Sequence, residues 1–263
     1  MGQAYGNMTE RLYEHVSPGH RNIIDKLRLA VDRFDELGTR LDTGERNQVK
    51  HIAVGDLQLN VKSFKVAHPI NSFVYRYLRK SKARRSYEHA RYLSSKGIGT
   101  PLPLAYYEER WFCGLGRSFY LSMQVKYDLS FRTLIEDPSY PGRENILRKF
   151  TRFTHSLHEH RVNFLDHSPG NTIVYVEPDG SYNFYLVDLN RMIIGNELGF
   201  EERMKNFARL SATPDMIGVM ADEYSGITGI DKDMVRERME HYTRITRKNR
   251  ARYKRIIKKL LRY

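Results

Sequence analysis

The sequence has almost no cysteine and no long apolar run. Its single cysteine, Cys113, excludes an internal disulfide framework and any metal cluster built on cysteine ligands. No apolar run reaches the roughly 18 residues that a membrane-spanning helix needs. The first residues also lack the basic start and apolar stretch of a secretory signal. We therefore expect a soluble, cytoplasmic protein that needs no disulfide to fold.

The sequence does have enough apolar residues for a folded core, together with a large excess of positive charge. Of its 263 residues, 40% are hydrophobic, which is too many for a disordered chain. The length suits one large domain or two lobes. There are 44 Lys or Arg residues against 31 Asp or Glu residues, so the formal charge is +13. Such a chain is expected to bind something anionic.

Most of the excess charge lies in the C-terminal tail, residues 242–263. The tail contains ten Lys or Arg residues and no acidic residue. Apolar residues recur in it at helical spacing: Tyr253, Ile256, Ile257, Leu260 and Leu261. One interpretation is a helix that packs on the protein with its basic face in solvent. The other is an anchor on an anionic membrane surface. Nucleic-acid binding is disfavoured, because no stacking-aromatic or zinc-finger pattern accompanies the charge.

Hydrophobic periodicity predicts a strand-rich first half and a helix-rich second half. The predicted helices cover residues 22–37, 79–96, 145–160 and most of the chain beyond 201. The predicted strands are 48–53, 57–65, 104–107, 118–125, 172–176 and 184–187, of which the first two form a hairpin. This order divides the chain into an N-terminal helical extension (1–37), a strand-rich lobe (38–125) and a helical lobe (126–263) that ends in the basic helix.

A polar loop in the second half carries the residues that indicate chemistry. Asp166 is followed five residues later by Asn171, and an apolar strand runs directly into Asp188. Phosphoryl transfer uses a carboxylate that accepts a proton, together with an amide oxygen and a second carboxylate that hold Mg²⁺. Each residue alone could be an ordinary turn residue, since Asp is common in turns. Their combination favours a catalytic site.

Two charged residues of the first half can complete such a site. Lys62 lies among apolar neighbours in the second strand of the predicted hairpin, so it is expected to face a partner or an anion; Lys65 is the alternative. Glu88 is the single acidic residue in a very basic helix and is the candidate partner of that lysine. It could instead pair with an arginine of its own helix.

These residues resemble those of the protein-kinase-like fold in its lipopolysaccharide kinase branch, the WaaP/InaA group of heptose and Kdo kinases. The resemblance covers roughly residues 40 to 210. It extends beyond single residues to three stretches: Tyr87–Leu93 followed by Gly97–Pro101, then Asp166–Asn171, and Val187–Arg191.

The resemblance implies an α+β, protein-kinase-like bilobal fold, with a small β-rich N-lobe, a helical C-lobe and a nucleotide cleft between them. It implies a kinase that uses ATP and Mg²⁺ to phosphorylate a sugar hydroxyl, of Kdo or heptose, in the lipopolysaccharide inner core. That anionic glycolipid lies at the inner membrane, so the enzyme is expected to be cytoplasmic and peripheral to the membrane.

The resemblance also implies a role for each candidate residue. Asp166 is the expected base, and Asn171 and Asp188 are the expected Mg²⁺ ligands. Lys62, positioned by Glu88, is expected to contact the ATP phosphates. The residues expected to cover these phosphates are Gly44, Arg46 and Asn47.

The sequence departs from typical protein kinases in ways that bear on the acceptor. Phe164 and Leu165 stand before Asp166, where protein kinases have His-Arg, and Ser168 replaces the usual Lys of protein-serine kinases. These features favour a sugar or small molecule as acceptor. Gly44 is the single glycine of its loop, a feature that favours a pseudokinase. The alternatives are an atypical protein kinase and a pseudokinase that binds anionic lipid without turnover.

Overall fold

The computed structural model describes residues 11–42, 47–65, 75, 77, 79–111 and 114–260. The chain divides into two compact units. The first comprises Met1–Ser95 and Pro101–Val125, and the second comprises Lys96–Thr100 and Lys126–Tyr263.

The described strands of the first unit form one antiparallel sheet. In chain order they are β1 (Arg11–Val16), β2 (Thr39–Arg40), β3 (Asn47–Val54), β4 (Leu57–Phe64), β5 (Pro103–Trp111) and β6 (Gly114–Met123). Their order across the sheet is β1-β5-β6-β4-β3-β2. The predicted hairpin is confirmed as β3 and β4, which are joined by a tight turn at Gly55 with a φ of 60°. A positive φ is a conformation that glycine adopts without steric cost.

Helices pack on this sheet through apolar side chains at helical spacing. A 3₁₀ helix (Pro18–Ile23) leads into α1 (Ile24–Asp32), and α2 spans Lys82–Ser95. Leu27 and Ala30 of α1 are fully buried against sheet residues such as Ile52 and Leu59. The predicted helix at 79–96 is present as α2, three residues shorter at its start and one residue shorter at its end, and Gly97, with a φ of 68°, follows shortly after it.

The N-terminal extension differs from the sequence-based prediction. The structure has a strand, β1, where the extension was predicted to be helical, and β1 pairs antiparallel with β5 along its whole length. The side chains of β1 interact with the sheet and with α1: Glu14 binds Arg28, and His15 stacks on Tyr106 at 5.2 Å. These partners are distant in sequence, so local periodicity did not reveal the strand.

The second unit is mainly helical. Its helices are α3 (Phe131–Glu136), α4 (Arg143–Glu159), α5 (Phe200–Ala208), α6 (Pro214–Thr228) and α7 (Lys232–Leu260). Its short strands are β7 (Leu129–Ser130), β8 (Val162–Phe164), β9 (Thr172–Val176), β10 (Tyr182–Leu186) and β11 (Met192–Ile194). One hydrophobic core joins these elements, and in it the ring centres of Phe131 and Phe150 lie 4.5 Å apart. Among the described residues, no helix combines the length and apolarity needed to span a bilayer.

The basic helix α7 changes character along its length. Its first half packs on the helical core, with Val235, Met239 and Thr243 buried. Beyond Arg250 the described side chains are exposed, including 66% of Tyr253 and 48% of Ile256. Ile257, Leu260 and Leu261, which complete the predicted apolar pattern, have no described side chains.

Candidate active site

Two of the three candidate residues of the second half, Asp166 and Asn171, lie in one loop, residues 166–171, which we call the Asp166 loop. It connects β8 to β9 and is closed by short backbone hydrogen bonds. The N–H of Ser168 donates to the carbonyl of Asp166 at 2.6 Å, and the N–H of Asn171 donates to the carbonyl of Ser168 at 2.9 Å. Consecutive turns of this kind restrain the backbone that carries the functional side chains.

Asn171 ties the two ends of the Asp166 loop together. Its side-chain Nδ2 donates to the carbonyl oxygen of Asp166 at 2.8 Å. Because the NH₂ end of the amide is engaged in this contact, its oxygen is the end that can bind a cation. The spacing of five residues thus has a physical reason, since it lets the Asn side chain close the loop that begins at the Asp.

The register of β9 and β10 brings Asp188 close to the end of the Asp166 loop at Asn171. Leu186 lies opposite Thr172, and the N–H of Val187 donates to the carbonyl of Asn171 at 3.0 Å. Asp188 is the next residue along the chain. The two predicted Mg²⁺ ligands, Asn171 and Asp188, therefore lie at one end of this hairpin.

Asp188 itself has an unusual backbone and a fixed carboxylate. Its φ is 57°, in the left-handed region that residues with a Cβ rarely adopt. Its Oδ1 accepts a hydrogen bond from Nδ2 of Asn190 at 2.6 Å. Strained residues held by local contacts concentrate at functional sites. The sequence pattern included Asn190, but it did not predict that Asn190 orients Asp188.

Arg209 was not identified by sequence analysis. It follows α5, and its Nη2 lies 3.5 Å from Oδ1 of Asp166, with the side chains 35% and 30% exposed. The guanidinium can restrain the carboxylate while leaving it accessible. Arg209 is distant from the Asp166 loop in sequence, and the chain is rich in arginine, so no local pattern distinguishes it.

A buried polar network supports the Asp166 loop from below. His167 is fully buried, and its Nδ1 donates to Oδ1 of Asn206 at 2.9 Å. Nδ2 of Asn206 donates in turn to the carbonyl of Phe164 at 2.9 Å and to Oδ1 of Asn163 at 3.2 Å. Burial lowers the pKa of His167 to about 4, because desolvation disfavours the charged ring, although the contact with Asn206 opposes this shift. His167 is therefore a neutral support for the loop.

Two residues of the Gly97–Pro101 stretch, Gly99 and Thr100, have a structural role in the same unit. The N–H of Leu186 donates to the carbonyl of Gly99 at 2.9 Å, and Thr100 Oγ1 donates to the carbonyl of Leu186 at 3.0 Å. A Cβ at Gly99 would lie 1.9 Å from the carbonyl oxygen of Phe184, so only glycine allows this approach. The stretch thus holds the strand that leads to Asp188.

The chemistry of the donors fits a hard cation that keeps several non-protein ligands. Within the described residues, no cluster of three or more His, Cys, Asp or Glu side chains is placed to hold a metal. The candidate ligands are one carboxylate, from Asp188, and one amide oxygen, from Asn171. Mg²⁺ bound to a nucleotide is held in this way, by few protein oxygens together with phosphate oxygens.

Lys62, Asn47 and Glu88 belong to the first unit. Lys62 lies in β4, half-buried, opposite Tyr120 of β6, and its Nζ is 5.4 Å from the ring centre of Phe64. Its rival Lys65 follows the strand and is exposed. Asn47 begins β3 and is half-buried. Gly44 and Arg46 lie outside the described residues.

Glu88 has different neighbours from those predicted. Its carboxylate accepts hydrogen bonds from Lys80 at 2.8 Å and from Arg84 at 2.9 Å. Partial burial opposes ionisation, but these two cations lower the pKa of Glu88 below its usual value. Among the described residues, the structure therefore brings Glu88 to Lys80 and Arg84, and it does not pair Glu88 with Lys62. Pairing with an arginine of the same helix, the alternative interpretation, is what is observed.

Comparison with known proteins identifies the fold. No protein-family model and no curated protein sequence matches the chain. Among solved structures, the chain is similar to "WaaP in complex with acyl carrier protein". The TM-score is 0.61 and the sequence identity is 17%, over 89% of this chain and 98% of that chain. The predicted α+β, protein-kinase-like fold, with a strand-rich N-terminal part and a helical C-terminal part, is confirmed.

Proposed function

We propose that this protein is a kinase that transfers the γ-phosphoryl group of ATP to a sugar hydroxyl, of Kdo or heptose, in the lipopolysaccharide inner core. The observation that carries the proposal is the joint placement of Asp166, Asn171 and Asp188 by short hydrogen bonds at one end of a hairpin. The similarity to WaaP and the sequence resemblance to the lipopolysaccharide kinase branch support the same function.

In the proposed reaction Asp166 accepts the proton of the acceptor hydroxyl. The hydroxyl oxygen forms a bond to the γ-phosphorus, the bond from that phosphorus to the bridging oxygen breaks, and ADP leaves with the electron pair. Arg209 holds the Asp166 carboxylate in place through the 3.5 Å contact. The buried His167 supports the loop, so that the carboxylate faces the acceptor in one orientation.

The remaining candidates hold the nucleotide in this proposal. Asn171 and Asp188 bind Mg²⁺, which would neutralise phosphate charge, and Lys62 contacts the phosphate oxygens. Gly44, Arg46 and Asn47 cover the phosphates. Glu88 positions Lys62 only if it exchanges its present partners, Lys80 and Arg84.

The choice of acceptor rests on the composition of the Asp166 loop. Ser168 and Pro169 stand where a protein-serine kinase would present a lysine to its substrate. A sugar hydroxyl is a small acceptor that this loop can admit. A protein acceptor would instead indicate an atypical protein kinase, and binding without turnover would indicate a pseudokinase.

The test is Mg²⁺-dependent transfer of label from γ-labelled ATP to purified lipopolysaccharide core. Asp166→Ala should abolish the transfer while the protein stays folded by circular dichroism. Asp179→Ala, in the exposed turn of the same hairpin, is the matched control and should remain active. Label on a polypeptide in place of the glycolipid, or full activity of Asp166→Ala, would overturn the assignment.

We also propose that the exposed end of α7 places the enzyme on an anionic membrane surface. Arg247 and Arg250 fix the middle of the helix, donating to the carbonyls of Ala212 and Arg209 at 2.9 Å and 3.2 Å. Beyond them, exposed Tyr253 and Ile256 stand among basic residues. Burial of these apolar side chains in the membrane surface would contribute to binding. Electrostatic attraction would contribute roughly a further 1 kcal/mol for each basic residue near the surface.

The membrane proposal is tested by truncation after Arg250. This cut removes six Lys or Arg residues and leaves the contacts of Arg247 and Arg250 in place. Co-sedimentation with vesicles containing anionic lipid should fall at least tenfold, since several basic residues are lost. Unchanged sedimentation would mean that this end of the helix does not bind lipid.

A further inference from the structure

A basic pocket lies beside the Asp166 loop within the second unit. Its volume is about 390 Å³, and its lining includes three cationic side chains, from Arg191, Lys205 and Arg209, against one carboxylate, from Glu202. Three cationic residues that line one concave site produce a local positive potential that favours an anion.

The pocket adjoins the proposed base. Leu165, the residue before Asp166, forms part of its wall, and Arg209 links the pocket to Oδ1 of Asp166 at 3.5 Å. The N–H of Leu165 donates to the carbonyl of Arg191 at 3.1 Å, which holds Arg191, the residue before β11, against the loop. A group bound in the pocket would therefore lie next to the group that reacts at Asp166.

The charges of the pocket are only partly compensated. Glu202 accepts a hydrogen bond from the N–H of Gly199 at 3.2 Å, so its carboxylate also caps α5. Nζ of Lys205 lies 5.2 Å from the ring centre of Tyr242. Nε of Arg209 is buried without a hydrogen-bond partner among the described residues. A guanidinium has five donors, and the contact with Asp166 uses few of them.

We propose that this pocket binds an anionic group of the acceptor, a phosphate or a carboxylate that neighbours the reacting hydroxyl. Arg191 and Lys205 contact the anion, and Arg209 bridges it to Asp166. Charge-assisted hydrogen bonds of this kind are strong and geometrically specific, so the bound anion positions the hydroxyl at the base. The inference rests on the proposed kinase function and names the acceptor chemistry that the same site would select.

The kinetic test compares acceptors that differ only in charge: a sugar phosphate, the corresponding sugar carboxylate and the neutral sugar. For Lys205→Gln and Arg191→Gln, the ratio of kcat/KM for the anionic acceptor to kcat/KM for the neutral one should fall about tenfold, through a higher KM. Arg236→Gln is the matched control, since Arg236 is exposed on α7 and pairs with Glu240. An unchanged ratio in the pocket variants would overturn the inference. The more strongly affected acceptor identifies whether the anion is a phosphate or a carboxylate.

A binding measurement keeps this inference separate from the kinase assignment. The measurement is a calorimetric titration of the full chain with inorganic phosphate, in the absence of nucleotide. The double variant Lys205→Gln, Arg191→Gln should bind phosphate more weakly than wild type or Arg236→Gln does. Equal binding by all three proteins would remove the pocket as an anion site, even if phosphoryl transfer is observed. If transfer is absent but binding depends on the pocket residues, the kinase function fails and the anion site remains.

Discussion

Asp188 and Asn190 show how a strained residue is held in the candidate site. A left-handed backbone costs a residue with a Cβ about 1–2 kcal/mol. The hydrogen bond from Asn190 offsets part of this cost and fixes the Asp188 carboxylate at the same time. The orientation of the proposed Mg²⁺ ligand therefore depends on a residue two positions further along the chain.

This dependence predicts a metal-specific effect of Asn190→Ala. Loss of the 2.6 Å hydrogen bond removes one restraint on the Asp188 carboxylate, so the Mg²⁺ concentration that gives half-maximal transfer should rise about tenfold. The measurement is the rate as a function of Mg²⁺ at saturating ATP. Asn196→Ala, an exposed asparagine after β11, is the control. An unchanged Mg²⁺ requirement in Asn190→Ala would contradict the role given to the contact.

The buried ring of His167 makes the stability of the protein depend on pH. The pKa of this buried ring falls from 6.5 to about 4 on folding. Between these values the unfolded state binds the proton and the folded state does not, so stability decreases as the pH is lowered through this window. The loss at the lower end is about 3 kcal/mol for such a shift.

Urea unfolding of wild type and His167→Gln at pH values from 7 to about 4 checks this expectation. The variant keeps a donor for Asn206 but has no group that titrates there, so its stability should depend less steeply on pH. Part of the slope should remain, because burial also lowers the pKa of His158, to about 3. Identical slopes for the two proteins would show that His167 does not titrate as inferred.

At the scale of elements, the approach of Gly99 to β10 supports a prediction about stability. A side chain at this position must displace the carbonyl of Phe184 or break the two hydrogen bonds to Leu186. Gly99→Ala should therefore destabilise the protein by about 2–3 kcal/mol. The matched control is Gly226→Ala in α6, where nothing lies within 4 Å of the added Cβ. This control should stabilise the protein by about 0.5–1 kcal/mol through helix propensity. A neutral Gly99→Ala would show that the contact is not required.

Local hydrophobic periodicity was sufficient to predict the elements whose buried faces follow from the spacing of their own apolar residues. The β3–β4 hairpin and helices α2 and α4 were predicted with small errors at their ends, because their apolar residues alternate or recur at helical spacing. The strand β1 was not predicted, since it depends on pairing with β5, which is distant in the chain.

The residues of the candidate site likewise include some that local sequence spacing predicts and others that it does not. The pairing of Asp166 with Asn171 follows from local spacing, and the placement of Asp188 follows from the hairpin register. Arg209 and Asn206 depend on contacts between elements that are distant in sequence, and no pattern in one sequence contains that information. The pair of Glu88 with Arg84 is local, at spacing i,i+4, and it was one of the two interpretations that the sequence offered.

At the scale of the whole molecule, the excess of positive charge predicts how surface binding responds to salt. The tail supplies ten of the Lys and Arg residues, and the described part beyond Arg250 is exposed. The Debye length is about 8 Å at physiological ionic strength and about 3 Å at 1 M, so added salt screens these charges from a lipid surface. Binding to anionic vesicles should fall by more than tenfold between low and high salt, while binding to zwitterionic vesicles should change little.

Any binding that persists at high salt should come from the apolar residues of the same segment. Tyr253→Ser and Ile256→Ser should reduce this residual binding, because each removes apolar area that is exposed in the free protein. The charged residues are unchanged in these variants, so binding at low salt should retain most of its strength. Vesicle binding that does not respond to salt, or residual binding that survives both substitutions, would assign the membrane contact to another surface and leave the basic end of α7 as a solvated helix.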